Sequence, residues 1–209
     1  QGVSSAASDV YKRQVYLAPA LLASSAMNGA IADATFNVYF KMHEMRLYQA
    51  MTSTSLGALD VALGEIGWAM IRGGAYAVGF ICVAAAFGLV TTWWALLAIP
   101  AAMLVAFGFA AIGMGITSYT SSFQQLNWVQ FVMLPMFLFS GTFYPISVYP
   151  EWLQVVITAT PLSQAIAMTR SLMLGDFDLA LVGHMAYFVV LVAVGVAFTT
   201  KRLKALFLR

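Results

Sequence analysis

The residues able to do chemistry are few in this sequence, and their spacing narrows what they can do. Asp33 is the one acid well inside a long apolar stretch, where an ionisable group is costly enough to be functional by default. Arg72 lies about one turn into the next apolar stretch, so Asp33 and Arg72 form a candidate intramembrane polar pair. A structural ion pair and a contact to substrate both remain open for Asp33. His43 and His184 have no second ligand at i+3 or i+4, so no metal site is expected, and His184 reads as a packed or interfacial side chain. The single cysteine, Cys82, sits mid-segment and excludes an intramolecular disulfide. Gly73-Gly74 has no Lys after it, and no G-x-x-x-x-G-K-[ST] phosphate loop occurs. No catalytic, cofactor-binding or metal residue is expected, and the chain alone should not hydrolyse ATP.

The elements that position these groups follow from composition. Of 209 residues, 62% are hydrophobic and only 9% charged, with mean hydropathy +0.86. Soluble domains run about 45–50% apolar and about 25% charged, so lipid is the solvent for most of this chain. Five apolar segments follow one another: 15–39, 69–90, 93–118, 128–143 and 179–200. Trp93, Trp94 and Trp128 fall at segment ends, as an interfacial aromatic belt requires. Without the alternating ten-residue pattern of a barrel, spans in lipid must be helices. The expected fold is an all-α integral membrane bundle of five spans. Lys201, Arg202, Lys204 and Arg209 crowd the C-terminus, which places it in the cytoplasm. Alternation then puts 147–178 and the Thr91–Thr92 turn outside, and 40–68, with Lys41 and Arg46, inside.

Residues 1–14 are polar and lack the apolar region of a signal peptide. They resemble translated sequencing-adaptor sequence, so they are expected to be a non-native leader ahead of a membrane domain over 15–209. That domain is expected to lack its N-terminal span, which would make six in the intact subunit.

Two segments neither span nor read as plain loops. In 40–68, Met42, Met45, Leu47 and Met51 alternate with charges, Thr52-Ser53-Thr54-Ser55 breaks the pattern, and Asp60 opens a second amphipathic run. A helix–break–helix along the membrane surface fits, and so does an interfacial linker between spans. In 147–175, an apolar run at Glu151-Trp152-Leu153 is cut at Pro161. Thr160-Pro161 is an N-cap with proline at N1, opening a helix to Leu174 closed by Gly175. Gly141 and Pro145 interrupt the preceding span. Neither short helix can cross about 30 Å of hydrocarbon, so a re-entrant or interfacial hairpin is expected. Small-residue pairs at Ala75/Gly79 and Ala111/Gly115 permit close helix packing.

These two segments carry a family resemblance. Phe-Ser-Gly-Thr-Phe-Tyr-Pro at 139–145, Pro150-Glu151-Trp152-Leu153, Pro161-Leu162, then Arg170 and Gly175 resemble the permease subunit of ABC type-2 exporters. The likeness is to the branch with nodulation lipo-oligosaccharide and daunorubicin-type exporters. Tyr48-Gln49-Ala50-Met51, Asp60 and Gly64-Glu65-Ile66-Gly67-Trp68 resemble the same family. Thr54-Ser55-Leu56 departs from its usual Thr-Pro-Leu.

The resemblance implies a multi-pass protein of the bacterial cytoplasmic (inner) membrane that exports a lipid-linked saccharide, glycolipid or amphipathic drug. It implies a coupling helix in 40–68 that docks on a separate ABC ATPase subunit, and that partner would bind ATP and Mg. On that reading Tyr48, Met51 and Leu56 make apolar contact, while Glu44, Arg46, Asp60 and Glu65 fix orientation. It implies a second permease subunit, lipid contact and no nucleic acid. The outward hairpin would act as a gate built from Phe139, Gly141, Pro145, Trp152, Pro161 and Arg170. Arg170 is expected to pair with Glu151 or Asp176, with lipid headgroups as the alternative. An ion-coupled secondary transporter is the competing class, but it would place several ionisable residues at mid-span within repeated broken helices. A membrane-embedded enzyme would need clustered His, Asp or Glu, which this sequence lacks.

Overall fold

The computed structural model describes residues 2–90 and 92–207. Gln1 of the expected leader, Thr91 of the expected turn and Arg209 of the basic C-terminus lie outside them. Among the described residues there are eight α-helices and no strand. Helix α1 (Gly2–Ala32) runs on through two wider π-helical turns, Asp33–Asn37 and Phe40–Glu44. Next come α2 (Leu47–Thr52), α3 (Ala58–Ala86), α4 (Ala98–Thr117), α5 (Leu126–Phe139), α6 (Glu151–Ala159), α7 (Pro161–Leu174) and α8 (Leu179–Phe207).

Among the described residues four helical stretches are long and apolar enough to cross a membrane: Arg13–Glu44, Ala58–Ala86, Trp93–Thr117 and Leu179–Leu206. The expected span over 128–143 differs. It forms α5, a helix of 14 residues, about 21 Å long at 1.5 Å per residue and short of the hydrocarbon thickness. Its end is set by Gly141, whose φ of +79° is left-handed, and by Pro145, which cannot continue a helix.

Helix α4 is the centre of the bundle, packed against α1, α3, α7 and α8. Small side chains let neighbouring backbones approach closely. A Cβ added at Gly73 would come within 2.6 Å of the Ala106 Cβ, and one at Gly113 within 2.9 Å of the Ala34 Cβ. One at Gly195 would meet the Ala111 Cβ at 2.7 Å and its backbone carbon at 3.1 Å. The two small-residue pairs therefore part company. Ala111/Gly115 packs on α8, whereas Ala75 and Gly79 are exposed and a Cβ at Gly79 would touch nothing. An i, i+4 spacing defines a face but not what covers it. Buried hydroxyls in the spans bond to helix backbone: Ser24 donates to the Ala20 carbonyl at 2.7 Å, and Thr117 to those of Gly113 at 2.8 Å and Ala34 at 3.0 Å.

The connections collect at two ends. At one end Phe123 packs on Phe36, Tyr39 and Phe40, α2 meets α8, and Arg202 lies 4.2 Å from the Tyr119 ring centre. Lys41, Arg46, Lys201 and Lys204 belong to the same elements, so this is the basic end. At the other end the Thr92 hydroxyl donates to the Met173 carbonyl at 3.1 Å, and Trp94 packs edge-on to Phe177 at 4.8 Å. This is the hairpin end.

Candidate functional site at the two ends of the bundle

At the basic end, two ion pairs tie the last turns of the first span to the first half of α3. The Lys41 ammonium donates to both Glu65 carboxylate oxygens at 2.8 Å. Arg72 donates to Asp33, and its guanidinium lies 5.5 Å from the Trp68 ring centre. The structure thus brings Asp33 and Arg72 together. Both acids sit on or opposite the π-helical turns, which swing side chains off the regular helical register.

Tyr48 departs from the expected outward contact. It is fully buried, and its phenol faces Glu65, so burial first and that carboxylate second push its pKa up. A side chain sealed beneath α2 cannot present an apolar surface to a partner. Its work is internal, holding α2 against α3. Asp60 is also committed locally, because its carboxylate accepts the Gly57 N–H at 2.8 Å and caps α3. Outward-facing residues are Glu44, Met45, Arg46 and Leu56, with Met51 half-buried behind them. The breaks fall at Arg46, which takes a left-handed φ of 50°, and at 53–57. A cavity of about 340 Å³ opens there, lined by Lys41, Met51, Leu56, Asp60, Glu65 and Trp68.

At the hairpin end, α7 spans Pro161–Leu174 with Pro161 at its first turn, as the Thr-Pro signal predicts. The Thr160 hydroxyl accepts the Ser163 N–H at 3.4 Å, and Gly175 closes the helix at φ +80°. Arg170 does not pair with Glu151 or Asp176. Its guanidinium lies 4.0 Å from the Tyr16 ring centre and donates to the Gly141 carbonyl at 3.3 Å. The Tyr16 hydroxyl reaches the same carbonyl at 3.4 Å. The physical reason is access: Glu151 and Asp176 are exposed to solvent, whereas the left-handed turn at Gly141 aims its carbonyl at Arg170. Arg170 thereby joins α7, α1 and the turn after α5. Around this knot Ser140 and Thr142 share a hydrogen bond of 2.7 Å. Phe139, Pro145 and Trp152 are exposed, Trp152 at 70%.

His43 contacts the Thr120 carbonyl at 3.0 Å and His184 contacts the Gln164 side chain. No group of three metal-ligating side chains occurs among the described residues. Two functional partners escape a sequence reading, Tyr16 for Arg170 and Lys41 for Glu65. Each contact closes over a long chain separation with no local signal.

The chain is similar to known proteins. The family model described as ABC-2 type transporter matches residues 2–174. Nodulation protein J of Rhizobium leguminosarum bv. trifolii is 33% identical over 162 residues, covering 77% of this chain and 62% of that protein. Its counterpart in Rhizobium leguminosarum bv. viciae is 32% identical over 163 residues, with the same coverage. Nodulation protein J of Neorhizobium galegae is 28% identical over 196 residues, covering 90% of this chain and 74% of that protein. The chain thus spans about three fifths of the length of the first two relatives. No solved structure matches it. An all-helical, multi-pass membrane architecture and a family match over most of the chain lead to one conclusion: this chain belongs to the ABC-2 type transporter family, as a membrane permease.

Proposed function

We propose that this chain is the permease subunit of an ATP-driven exporter that moves a lipid-linked saccharide, glycolipid or amphipathic drug out across the bacterial cytoplasmic membrane. The observation that carries this reading is the pairing of charge at the basic end. Asp33 and Glu65 each hold a cation, so neither is a free carboxylate for an ion to ride on. A secondary transporter needs such groups at mid-span; a subunit driven from outside needs a firmly tied surface to be pushed. Lys41, Arg46, Lys201 and Lys204 share that end, which favours a cytoplasmic side and C-terminus.

On this reading an ABC ATPase subunit, carrying ATP and Mg, docks against 40–57. Leu56 and Met51 supply apolar contact, Glu44 and Arg46 orient it, and the coupling helix is α2. Asp60, Glu65 and Tyr48 stiffen the segment from behind. A second permease subunit completes the path, and the α6–α7 hairpin with the 139–145 turn forms a re-entrant gate on the outer side, anchored by Arg170. Co-purification of the full-length permease with its ATPase tests the docking surface. Met51→Glu with Leu56→Glu should lower recovery of the ATPase about tenfold, the effect of roughly 1.4 kcal/mol. Unchanged recovery with normal ATP-dependent transport would remove this surface from the account.

A further inference from the structure

A groove of about 620 Å³ runs where α3, α4 and α8 pack together, lined by Leu59 and Leu63 of α3, Phe107 of α4, and Ala193 and Ala197 of α8. It lies on the least covered span: 11% of the apolar window of α8 is buried, against 56% in the first and third spans. Ala193, Ala197, Lys201 and Lys204 follow one another at spacings of four, four and three, so they share one helix face. Both lysines line the groove where α8 reaches the basic end. Val192, also in the lining, lies 13 residues from Leu179 and 14 from Leu206, at the middle of that span. From Val192 to Lys204 the helix rises about 18 Å, close to one leaflet of a hydrocarbon core about 30 Å thick. The groove therefore runs from the middle of the membrane to headgroup level on one side.

Its charge is one-sided. The lining contains no acid, and the nearest acids of α3 are committed, Asp60 to the Gly57 N–H and Glu65 to Lys41. Lys201 and Lys204 are exposed, and neither has an ion pair among the described residues. Thr199 donates to the Ala111 carbonyl at 3.0 Å, whereas the hydroxyl of Thr200, a lining residue one turn before Lys204, is buried without a partner. Such a donor carries a desolvation cost, which turning toward an acceptor in the groove relieves. Lysine stems lie along apolar surface while their ammonium groups stay at the interface, so two cations stand over the mouth of an apolar trough. That combination fits an acyl chain joined to an anionic head, and basic pockets between spans hold such heads. A choline head brings its own cation, which the lysines repel. We propose that this groove holds one anionic glycerophospholipid of the membrane, its phosphate at Lys201 and Lys204 and one acyl chain along Ala193 and Ala197. The assignment goes beyond the export reading and does not depend on it, since the shape and charge of the groove carry it.

Native mass spectrometry of the full-length protein in detergent micelles tests it, with dioleoyl-phosphatidylglycerol or dioleoyl-phosphatidylcholine titrated in. The first phosphatidylglycerol should bind about tenfold or more tighter than phosphatidylcholine. Lys201→Gln with Lys204→Gln should bring the two lipids within about threefold of each other, whereas Lys201→Arg with Lys204→Arg keeps the charge and should stay within about threefold of the wild type. Ala193→Phe with Ala197→Phe fills the trough at exposed positions and should weaken phosphatidylglycerol about tenfold although both lysines remain. Dihexanoyl-phosphatidylglycerol, with the same head and short chains, should bind about tenfold more weakly than the dioleoyl lipid. The proposal is overturned by equal affinity for the two dioleoyl lipids, or by full phosphatidylglycerol affinity in the glutamine pair. Full affinity in the phenylalanine pair, or equal affinity for the dihexanoyl lipid, also overturns it, because the lysines then act as a surface patch without the groove. Loss of a dimer instead of lipid when the groove is filled overturns it as well, since the groove then faces a second copy.

Discussion

Helices α4 and α5 are both strongly apolar, yet they occupy opposite situations. Thirteen residues of α4 are buried, most of them Ala or Gly, and they face four neighbouring helices. In α5 only Leu126 and Met133 are buried, while Trp128, Phe131, Val132, Leu134 and Leu138 are exposed. Hydrophobicity therefore does not decide which helix becomes the core. Side-chain volume does: small residues let backbones meet on every side, whereas rings and branched chains hold neighbours away. The outcome is a tightly keyed body, α1–α3–α4–α8, beside a sparsely covered helix, α5. Close packing is confined to that body, and α5 keeps most of its surface uncovered.

Substitutions should reveal that contrast most strongly at the key contacts. Gly195→Leu drives a side chain into the Ala111 backbone and should cost about 3 kcal/mol, read as a fall in the thermal unfolding midpoint in detergent. Gly79→Leu, into open space, should stay within about 0.5 kcal/mol. If both behave alike, α4 is not the keyed centre. Asp33→Leu leaves Arg72 unpaired in a half-buried site and should cost about 2 kcal/mol after allowing for its partial hydration. Exchanging the charges, Asp33→Arg with Arg72→Asp, should recover part of that loss. Gly141→Ala forces a left-handed φ on a residue with a Cβ, 3.0 Å from Ile146, and should cost about 1–2 kcal/mol. Thr160→Ala removes a long capping bond and should cost about 0.5–1 kcal/mol. Trp128→Ala on the exposed face of α5 should change stability least, within about 0.5 kcal/mol.

What could be read from the residues alone divides along similar lines. The helix over 161–174 was legible because its signals are local: a Thr-Pro start and a Gly stop. Four of the five apolar segments were legible from composition as long helices, whereas 128–143 forms the short α5, since hydropathy ignores the left-handed turn that ends it. Tyr48 was misplaced because an amphipathic pattern cannot see which elements cover α2, and its phenol faces Glu65 from α3. Arg170 had acids nearby in sequence, but its partners come from Tyr16 and a backbone carbonyl.

The export account is tested most directly in proteoliposomes containing the full-length permease and its ATPase subunit, loaded with nothing but buffer and lipid. Movement of a fluorescent palmitoyl-maltotriose probe between leaflets would be followed by quenching of its fluorophore from one side. The account predicts movement that requires ATP hydrolysis, and none when a proton or sodium gradient is imposed without nucleotide. Gradient-driven movement in the absence of ATP would contradict it and return the chain to the class of ion-coupled transporters.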